Sequence, residues 1–183
     1  EDVGIVVTGN MAQASFDVYC LPRHVALYSG APMDTPAHHV PGVCGTGIEV
    51  LSQASDAVSL GRADLALCVG AESMSRNPVA SYTSRGGFRM GQPDFKDFLW
   101  EALLDPGAKV TMGDTAENLA RQYQITRPEV DAFASRSFER ALAAQKDGFL
   151  GGEIVPVVTE TSDTDGLEPR GIRLSRETKD VNA

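Results

Sequence analysis

Residues 40–54, which read VPGVCGTGIEVLSQA, decide both the fold and the chemistry. A loop that contains proline and glycine ends at Cys44, and a helical pattern of apolar residues begins directly after it. The apolar residues that fall close to one helical face are Ile48, Leu51, Ala54 and Val58. The pattern therefore predicts Cys44 at or just before the N-terminus of a helix.

This position is typical of an activated nucleophile. The unpaired N–H groups and the positive dipole end of a helix favour a thiolate over a thiol. The same N–H groups can hold a negative oxygen. Gly45 and Gly47 add no bulk, so a substrate could come close to the sulfur. The alternative is that Cys44 is a small buried filler, as free cysteines often are.

The flanking pattern predicts an α/β layered arrangement of strand, helix, strand, helix and strand. The predicted strands are residues 4–8, 35–40 and 63–69. A helix that contains Pro22 ends at Gly30, and the Cys44 helix runs to about Leu60 and ends at Gly61. Residues 63–69 are apolar almost throughout, which indicates a sheet buried on both faces. Ligands meet such a sheet beyond the carboxyl ends of its strands, where Cys44 stands.

The second half of the chain differs from the first half in its predicted secondary structure. Residues 76–91 show no periodicity, and a short helix is predicted at about 95–104, with Phe98, Leu99 and Leu103 turned inward. A helix is predicted at about 114–123. Thr126 and Glu129 form a capping box that opens a further helix, which Gly148 ends. The last predicted strand spans residues 153–159.

Composition excludes several classes of function. The 183 residues carry a formal net charge of -9, which argues against general nucleic-acid binding. No apolar run approaches the length of a membrane span, and no signal peptide is visible. The three cysteines, at positions 20, 44 and 68, lack metal-ligand spacing and indicate free thiols in a reducing compartment. We expect Cys68 in the core and Cys20 in packing contact.

Four stretches, in the same order along the chain, resemble motifs of the thiolase family. Residues 44–47 (CGTG) resemble the run that opens a helix with the family's active-site cysteine. Residues 70–75 (GAESMS) resemble its Gly-Gly-Met-Glu-Ser-Met-Ser turn, one residue shorter here. Residues 112–120 (MGDTAENLA) resemble a helix start, and residues 153–156 (EIVP) resemble a strand. The four collinear matches identify the sequence as a relative of the thiolases.

The resemblance implies a thiolase-like layered sheet with flanking helices. It also implies a largely helical loop domain, inserted into the first of two similar halves and covering a coenzyme A cleft. On that plan, residues 1–80 are an incomplete N-terminal α/β domain, and residues 81–183 are an incomplete loop domain. Members of the family associate as dimers or tetramers, so the resemblance implies a homodimer or homotetramer. We expect a cytoplasmic location, with an organelle as the alternative.

The activity implied is that of an acyl-CoA acyltransferase. Cys44 would take an acyl group as a thioester, for thiolysis by coenzyme A or for Claisen condensation with a second acyl-CoA. Coenzyme A and acyl-CoA are then substrates, and neither a metal nor a permanently bound cofactor is expected. Met112 matches an apolar coenzyme A contact of the family, and Leu103 is a second candidate. Arg85 and Arg89 either serve the anionic ligand or lie on a solvated surface.

Two parts of the family's site have no counterpart in these residues. The Gly-His-Pro motif of the catalytic histidine and the Cys-x-Gly-x-Gly motif of a second cysteine do not occur. Spacing leaves His39 open as a partner of Cys44, and the alternative for His24, His38 and His39 is packing or solvent. We therefore expect the chain alone to be inactive and to carry only the nucleophile's half of the site.

Two rival interpretations remain. One is a catalytically silent chain that binds acyl-CoA or pairs with a complementary subunit. The other is a ketoacyl-synthase relative, because those enzymes share the duplicated fold and a cysteine that caps a helix. The stretches at 112–120 and 153–156 are thiolase-like and count against the second rival.

Overall fold

A computed structural model describes residues 2–11, 18–74, 77–88 and 90–155 of the chain. Its core is a parallel sheet of three strands in the order β2–β1–β3. The strands are β1 (Ile5–Gly9), β2 (Ala37–Val40) and β3 (Ala66–Gly70), and the helices between them are α1 (Leu21–Tyr28) and α2 (Thr46–Ser59). The predicted α/β arrangement is confirmed.

The two helices cover opposite faces of this sheet. The chain moves from β1 outward to β2, and then back across β1 to β3. Because parallel crossovers are right-handed, the change of direction places α1 and α2 on opposite sides. Val6, Ala26 and Ala31 form the core beneath α1. Val7, Val40, Val50 and Ala54 form the core beneath α2.

Burial falls from the centre of the sheet to its edge. Val6, Val7 and Thr8 of the central strand β1 are completely buried. Strand β3 is half-buried along most of its length, so the prediction of a strand buried on both faces is wrong. Among the described residues β3 lies at the sheet edge, where it pairs with β1 and packs mainly against helix α2.

The buried face of helix α2 differs from the predicted one. The residues turned to the sheet are Thr46, Val50, Ala54 and Ala57. Ile48, Leu51 and Val58 point outward, and Ile48 is 75% exposed. Both sets recur at helical spacing, so periodicity predicts the helix correctly but cannot choose between two apolar stripes. The outward stripe leaves large apolar side chains uncovered beside the Cys44 turn.

Glycines end the helices where the sequence predicts. Gly30 follows α1 with φ +84°, and Gly61 follows α2 with φ +66°. Both angles lie in the left-handed region, which costs glycine little because it lacks a Cβ. Pro22 stands in the first turn of α1, where no intrahelical N–H bond is lost.

Short elements follow the sheet up to Met112. Strands β4 (Val79–Ala80) and β5 (Lys96–Asp97) pair with each other, as do β6 (Leu104–Asp105) and β7 (Val110–Thr111). Helix α3 (Phe98–Leu103) is shorter than predicted. Its N-cap residue is Asp97, whose carboxylate accepts hydrogen bonds from the N–H groups of Leu99 and Trp100. Phe98, Leu99 and Leu103 are half-buried, so their predicted inward orientation holds only in part.

Two helices occupy the rest of the described chain, namely α4 (Met112–Tyr123) and α5 (Arg127–Lys146). The predicted capping box is confirmed, since the N–H of Thr126 donates to the carboxylate of Glu129 at 2.8 Å. The predicted last strand is wrong for its described part: Glu153 is in a turn, and residues 154–155 are irregular. Residues 156–159 lie outside the described residues.

The chain groups into two compact units, one up to Met112 and one from Gly113 onward. The domain boundary expected at residue 80 stays a prediction. In the part of the chain that the structure describes, every helix is too short or too polar to cross a membrane.

Candidate active site

Cys44 stands on a tight turn between strand β2 and helix α2. Residues Val43–Gly45 form one turn of 3-10 helix, and α2 begins directly afterwards at Thr46. Cys44 is exposed and its thiol is free. The predicted position before a helix N-terminus is confirmed, and the alternative of a buried filler is wrong.

A single hydroxyl group closes this turn. The N–H of Gly42 donates to Oγ1 of Thr46 at 2.9 Å, and the Thr46 hydroxyl donates to the carbonyl of Val43 at 2.7 Å. The N–H of Gly45 donates to the carbonyl of Gly42 at 2.9 Å. Thr46 thereby ties together the residues on both sides of Cys44. Sequence reasoning missed this function, although a threonine in the first turn of a helix commonly bonds to nearby backbone.

Space for this contact comes from a glycine on the neighbouring strand. A Cβ built on Gly9 would lie 2.3 Å from Cγ2 of Thr46 and 2.9 Å from Cγ2 of Val50. Real side chains do not approach so closely. Gly9 therefore lets the first turn of α2 pack directly on the end of β1.

The residue before the nucleophile has an unfavourable backbone conformation. Val43 has φ +49°, in the left-handed region that β-branched residues rarely adopt. Such a conformation costs of order 1–3 kcal/mol and persists only where surrounding contacts enforce it. Here the hydrogen bond from Thr46 to the Val43 carbonyl supplies one such contact.

A cleft of about 470 Å³ opens at the carboxyl edge of the sheet, beside the first turns of α2. Its lining includes Asn10, Leu51, Cys68 and Glu72, whereas Cys44 is outside the lining. Two hydrogen bonds join the loops after β1 and β3. Asn10 donates to the Ala71 carbonyl at 2.8 Å, and the N–H of Met11 donates to the Glu72 carboxylate at 2.7 Å.

His39 does not partner Cys44. It shares the α1 side of β2 with Ala37, because residues two apart in a strand point to the same face. Both of its ring nitrogens are buried and lack a hydrogen-bond partner. Burial lowers the pKa of His39, which favours the neutral ring. The sheet separates this imidazole from helix α2, so the spacing-based possibility of a base at His39 is wrong.

The other two histidines are also engaged elsewhere. The ring of His24 stacks on Tyr28 within α1, with ring centroids 5.5 Å apart. Nε2 of His38 lies 3.0 Å from Oε1 of Gln53. Gln53 is seven residues into α2, about 10 Å along the helix axis from Thr46. All three histidines of the sequence are thus described, and none is placed to take a proton from Cys44.

The remaining predicted residues lie on several elements. Leu103 ends α3 and is half-buried, while Met112 begins α4 and is 58% exposed. Arg85 is exposed in a short 3-10 turn, and Arg89 lies outside the described residues. Their contact with coenzyme A stays a prediction. Across the described ranges, no group of three His, Cys, Asp or Glu side chains could hold a metal ion.

The other cysteines are free as well. Cys68 is half-buried and packs against the core beneath α2, which agrees with its predicted position in the strand. Cys20 is exposed at the start of α1, so the prediction that it packs is wrong.

Known proteins resemble this chain in both sequence and fold. A family model described as "Thiolase, N-terminal domain" matches residues 1–171. The beta-ketothiolase BktB of Cupriavidus necator is 40% identical over 171 residues, which are 90% of this chain and 43% of that protein. The mitochondrial 3-ketoacyl-CoA thiolase of Homo sapiens is 36% identical over 162 residues, covering 88% of this chain and 41% of that protein.

Solved structures agree with the sequence comparisons. The human mitochondrial 3-ketoacyl-CoA thiolase in complex with CoA superposes with a TM-score of 0.81 at 37% identity, covering 86% of this chain and 40% of that one. The acetyl-CoA acetyltransferase of Bacillus anthracis gives a TM-score of 0.79 at 33% identity, over 88% of this chain and 41% of that one. The chain spans about two fifths of the length of the curated relatives it matches. It has the α/β fold of those structures and belongs to the thiolase family, whose N-terminal domain it matches.

Proposed function

We propose that this chain supplies the nucleophile of an acyl-CoA acyltransferase. One observation carries the proposal: Cys44 is exposed on a tight turn directly before α2, and Thr46 holds that turn. The relatives named beta-ketothiolase, 3-ketoacyl-CoA thiolase and acetyl-CoA acetyltransferase support the same chemistry. One of those structures was solved with CoA bound, which supports CoA and acyl-CoA as the ligands.

The reaction has two steps at the sulfur of Cys44. The thiolate attacks the carbonyl carbon of an acyl donor and forms the S–C bond of an acyl-cysteine. In thiolysis the C–C bond of a 3-ketoacyl-CoA breaks and its acetyl-CoA part leaves as the enolate, whereas in condensation the C–S bond of an acyl-CoA breaks and coenzyme A leaves as the thiolate. In thiolysis the thiol of coenzyme A then attacks that thioester and releases Cys44. In condensation the attacking group is the enolate carbon of a second acyl-CoA. N–H groups at the start of α2, with that of Cys44 among them, would stabilise the oxyanion of each tetrahedral intermediate.

Each step moves a proton, and the described residues hold no suitable histidine beside Cys44. His39 lies on the opposite face of the sheet, and His38 is bonded to Gln53. We propose that the catalytic base lies in the part of the longer protein that this chain does not cover, because the chain spans about two fifths of its relatives. We propose that the chain alone is inactive, and that it works in a homodimer or homotetramer of the longer protein.

Further details of the proposal concern binding and location. Met112 and Leu103 would contact coenzyme A, with Met112 the better candidate because its side chain is more than half exposed. Three free thiols suit a reducing compartment, either the cytoplasm or an organelle.

The second candidate function is a catalytically silent chain that binds acyl-CoA or a complementary subunit. The absence of a histidine beside Cys44 within the described residues favours it. Alkylation with iodoacetamide at neutral pH separates the two, with each cysteine followed by peptide mass spectrometry. The enzyme requires Cys44 to react faster than Cys20, which is also exposed and also precedes a helix. Equal rates for the two would support the silent chain.

A further inference from the structure

A chain of hydrogen bonds joins strand β2 to helix α2 on the sheet face that carries the nucleophile's helix. Nε2 of His38 lies 3.0 Å from Oε1 of Gln53. Nε2 of Gln53 donates to Oε1 of Glu49 at 3.0 Å. We propose that His38, Gln53 and Glu49 form a positioning relay that fixes the Cys44 turn, an inference that rests on the proposed function of Cys44.

The donors and acceptors of this relay have one consistent assignment. The amide oxygen of Gln53 can only accept, so the proton in its contact with His38 belongs to Nε2 of the imidazole. The amide nitrogen of Gln53 can only donate, so Oε1 of Glu49 accepts. An acceptor at position 49 therefore sets which end of the Gln53 amide faces His38.

The location of the relay connects it to Cys44. His38 lies two residues before Val40, the last residue of β2, and Glu49 lies in the first turn of α2. These two elements are the flanks of the turn that presents Cys44. Thr46 forms its hydrogen bonds within the turn. The contact between His38 and Gln53 joins β2 to α2 further from the sulfur. These two separated hydrogen-bonded contacts add to the packing of Val50 and Ala54 in restricting movement of α2 against β2.

The relay residues are positioning residues, because none of them lies beside the sulfur. Gln53 is about 10 Å along the helix from Thr46, so His38 cannot exchange a proton with Cys44 directly. The Cys44 turn needs such contacts because the strained backbone of Val43 persists only where surrounding residues enforce it. Small misplacement of a reacting group lowers rates strongly.

The test measures alkylation of Cys44 in the intact native protein at neutral pH, with Cys20 in the same molecule as the internal reference. Gln53→Leu removes both hydrogen bonds at similar size. Gln53→Glu loses the donor to Glu49 and places two carboxylates four residues apart, and their repulsion disfavours the geometry in which position 53 accepts from His38. Both variants should slow Cys44 relative to Cys20 by about threefold, because a looser turn moves the thiolate away from the N–H groups at the start of α2 that favour it. Gln122→Leu is the matched control, because Gln122 is exposed on α4.

A double variant separates positioning from general loosening. Glu49→Gln with Gln53→Glu restores the relay with the roles exchanged: Gln at 49 donates to Glu at 53, which accepts from His38. We expect this double variant to recover the wild-type ratio of Cys44 to Cys20 alkylation. Wild-type ratios in Gln53→Leu and Gln53→Glu, or no recovery in the double variant, would overturn the relay. If instead wild-type Cys44 reacts no faster than Cys20, the proposed nucleophile fails, whatever the variants do.

Discussion

Gly9 at the end of β1 lies so close to Thr46 at the start of α2 that a Cβ on the glycine would come within 2.3 Å of the threonine methyl group. This contact sets how closely the nucleophile's helix approaches the central strand. Because Thr46 also holds the Cys44 turn, displacement of its side chain should disturb both stability and reactivity.

Gly9→Ala should therefore destabilise the protein by about 1–3 kcal/mol, the usual cost of overpacking a core. Gly70→Ala is a matched control, since Gly70 pairs with Gly9 across the sheet and a Cβ there meets no atom within 4 Å. Urea unfolding of both variants measures the difference. Equal stabilities would show that α2 does not depend on the space at Gly9.

Thr46→Val should slow Cys44 alkylation and cost about 1 kcal/mol of stability. The methyl group is kept and a second one replaces the hydroxyl, so the N–H of Gly42 and the carbonyl of Val43 lose their hydroxyl partner. Thr46→Ser keeps the hydroxyl and should retain wild-type alkylation. Measured rates that follow the lost methyl group rather than the lost hydroxyl would contradict the function assigned to Thr46.

Val43→Asn should stabilise the protein by about 1 kcal/mol, because asparagine tolerates the left-handed region better than a β-branched residue does. Val43 is 50% exposed, so little packing is lost. Val58→Asn is the control, as Val58 is 43% exposed but lies within helix α2, and it should bring no gain. If thermal unfolding shows that Val43→Asn lowers stability as much as Val58→Asn does, the claim that Val43 has a strained backbone is wrong.

The pH dependence of stability should include a contribution from His39. Its pKa is lowered by burial, so the unfolded chain binds a proton more readily than the folded one. The neutral imidazole is accommodated fully above the ordinary histidine pKa of about 6.5, and stability is lost as pH falls below it. His39→Leu should weaken this loss between about pH 6.5 and the lowered pKa. Thermal unfolding across that range, with His24→Gln as the control, measures the effect. An unchanged pH profile in His39→Leu would refute it.

The sequence predicts the three strands of the parallel sheet, the ends of the helices around them and the Cys44 turn well, because each depends on local chemistry. Gly30 and Gly61 end helices through their backbone freedom, and Thr126 with Glu129 forms its capping box within one turn. By contrast, the buried face of α2 depends on which of two rows of apolar residues packs against the sheet. Ile48 and Val50 are both apolar, and only the packed structure distinguishes them.

The same distinction applies to the site. Cys44 is recognisable because its motif and its helix start are contiguous in the sequence. His39 stands only five residues away, yet the alternation of side chains along β2 sends it to the other face. The contacts of Thr46 are local and follow a common pattern for a threonine in the first turn of a helix. The contact of Gln53 with His38 joins two elements, and no local pattern reveals it.

The most direct test is thiolysis of acetoacetyl-CoA by coenzyme A, with chain identity checked by intact mass. The 183-residue chain and a full-length protein that supplies the remaining portion are compared, each with its Cys44→Ala variant. We expect no turnover by the chain alone, and turnover by the longer protein that Cys44→Ala abolishes. Turnover by the chain alone, or turnover by the longer protein that survives Cys44→Ala, would contradict this expectation.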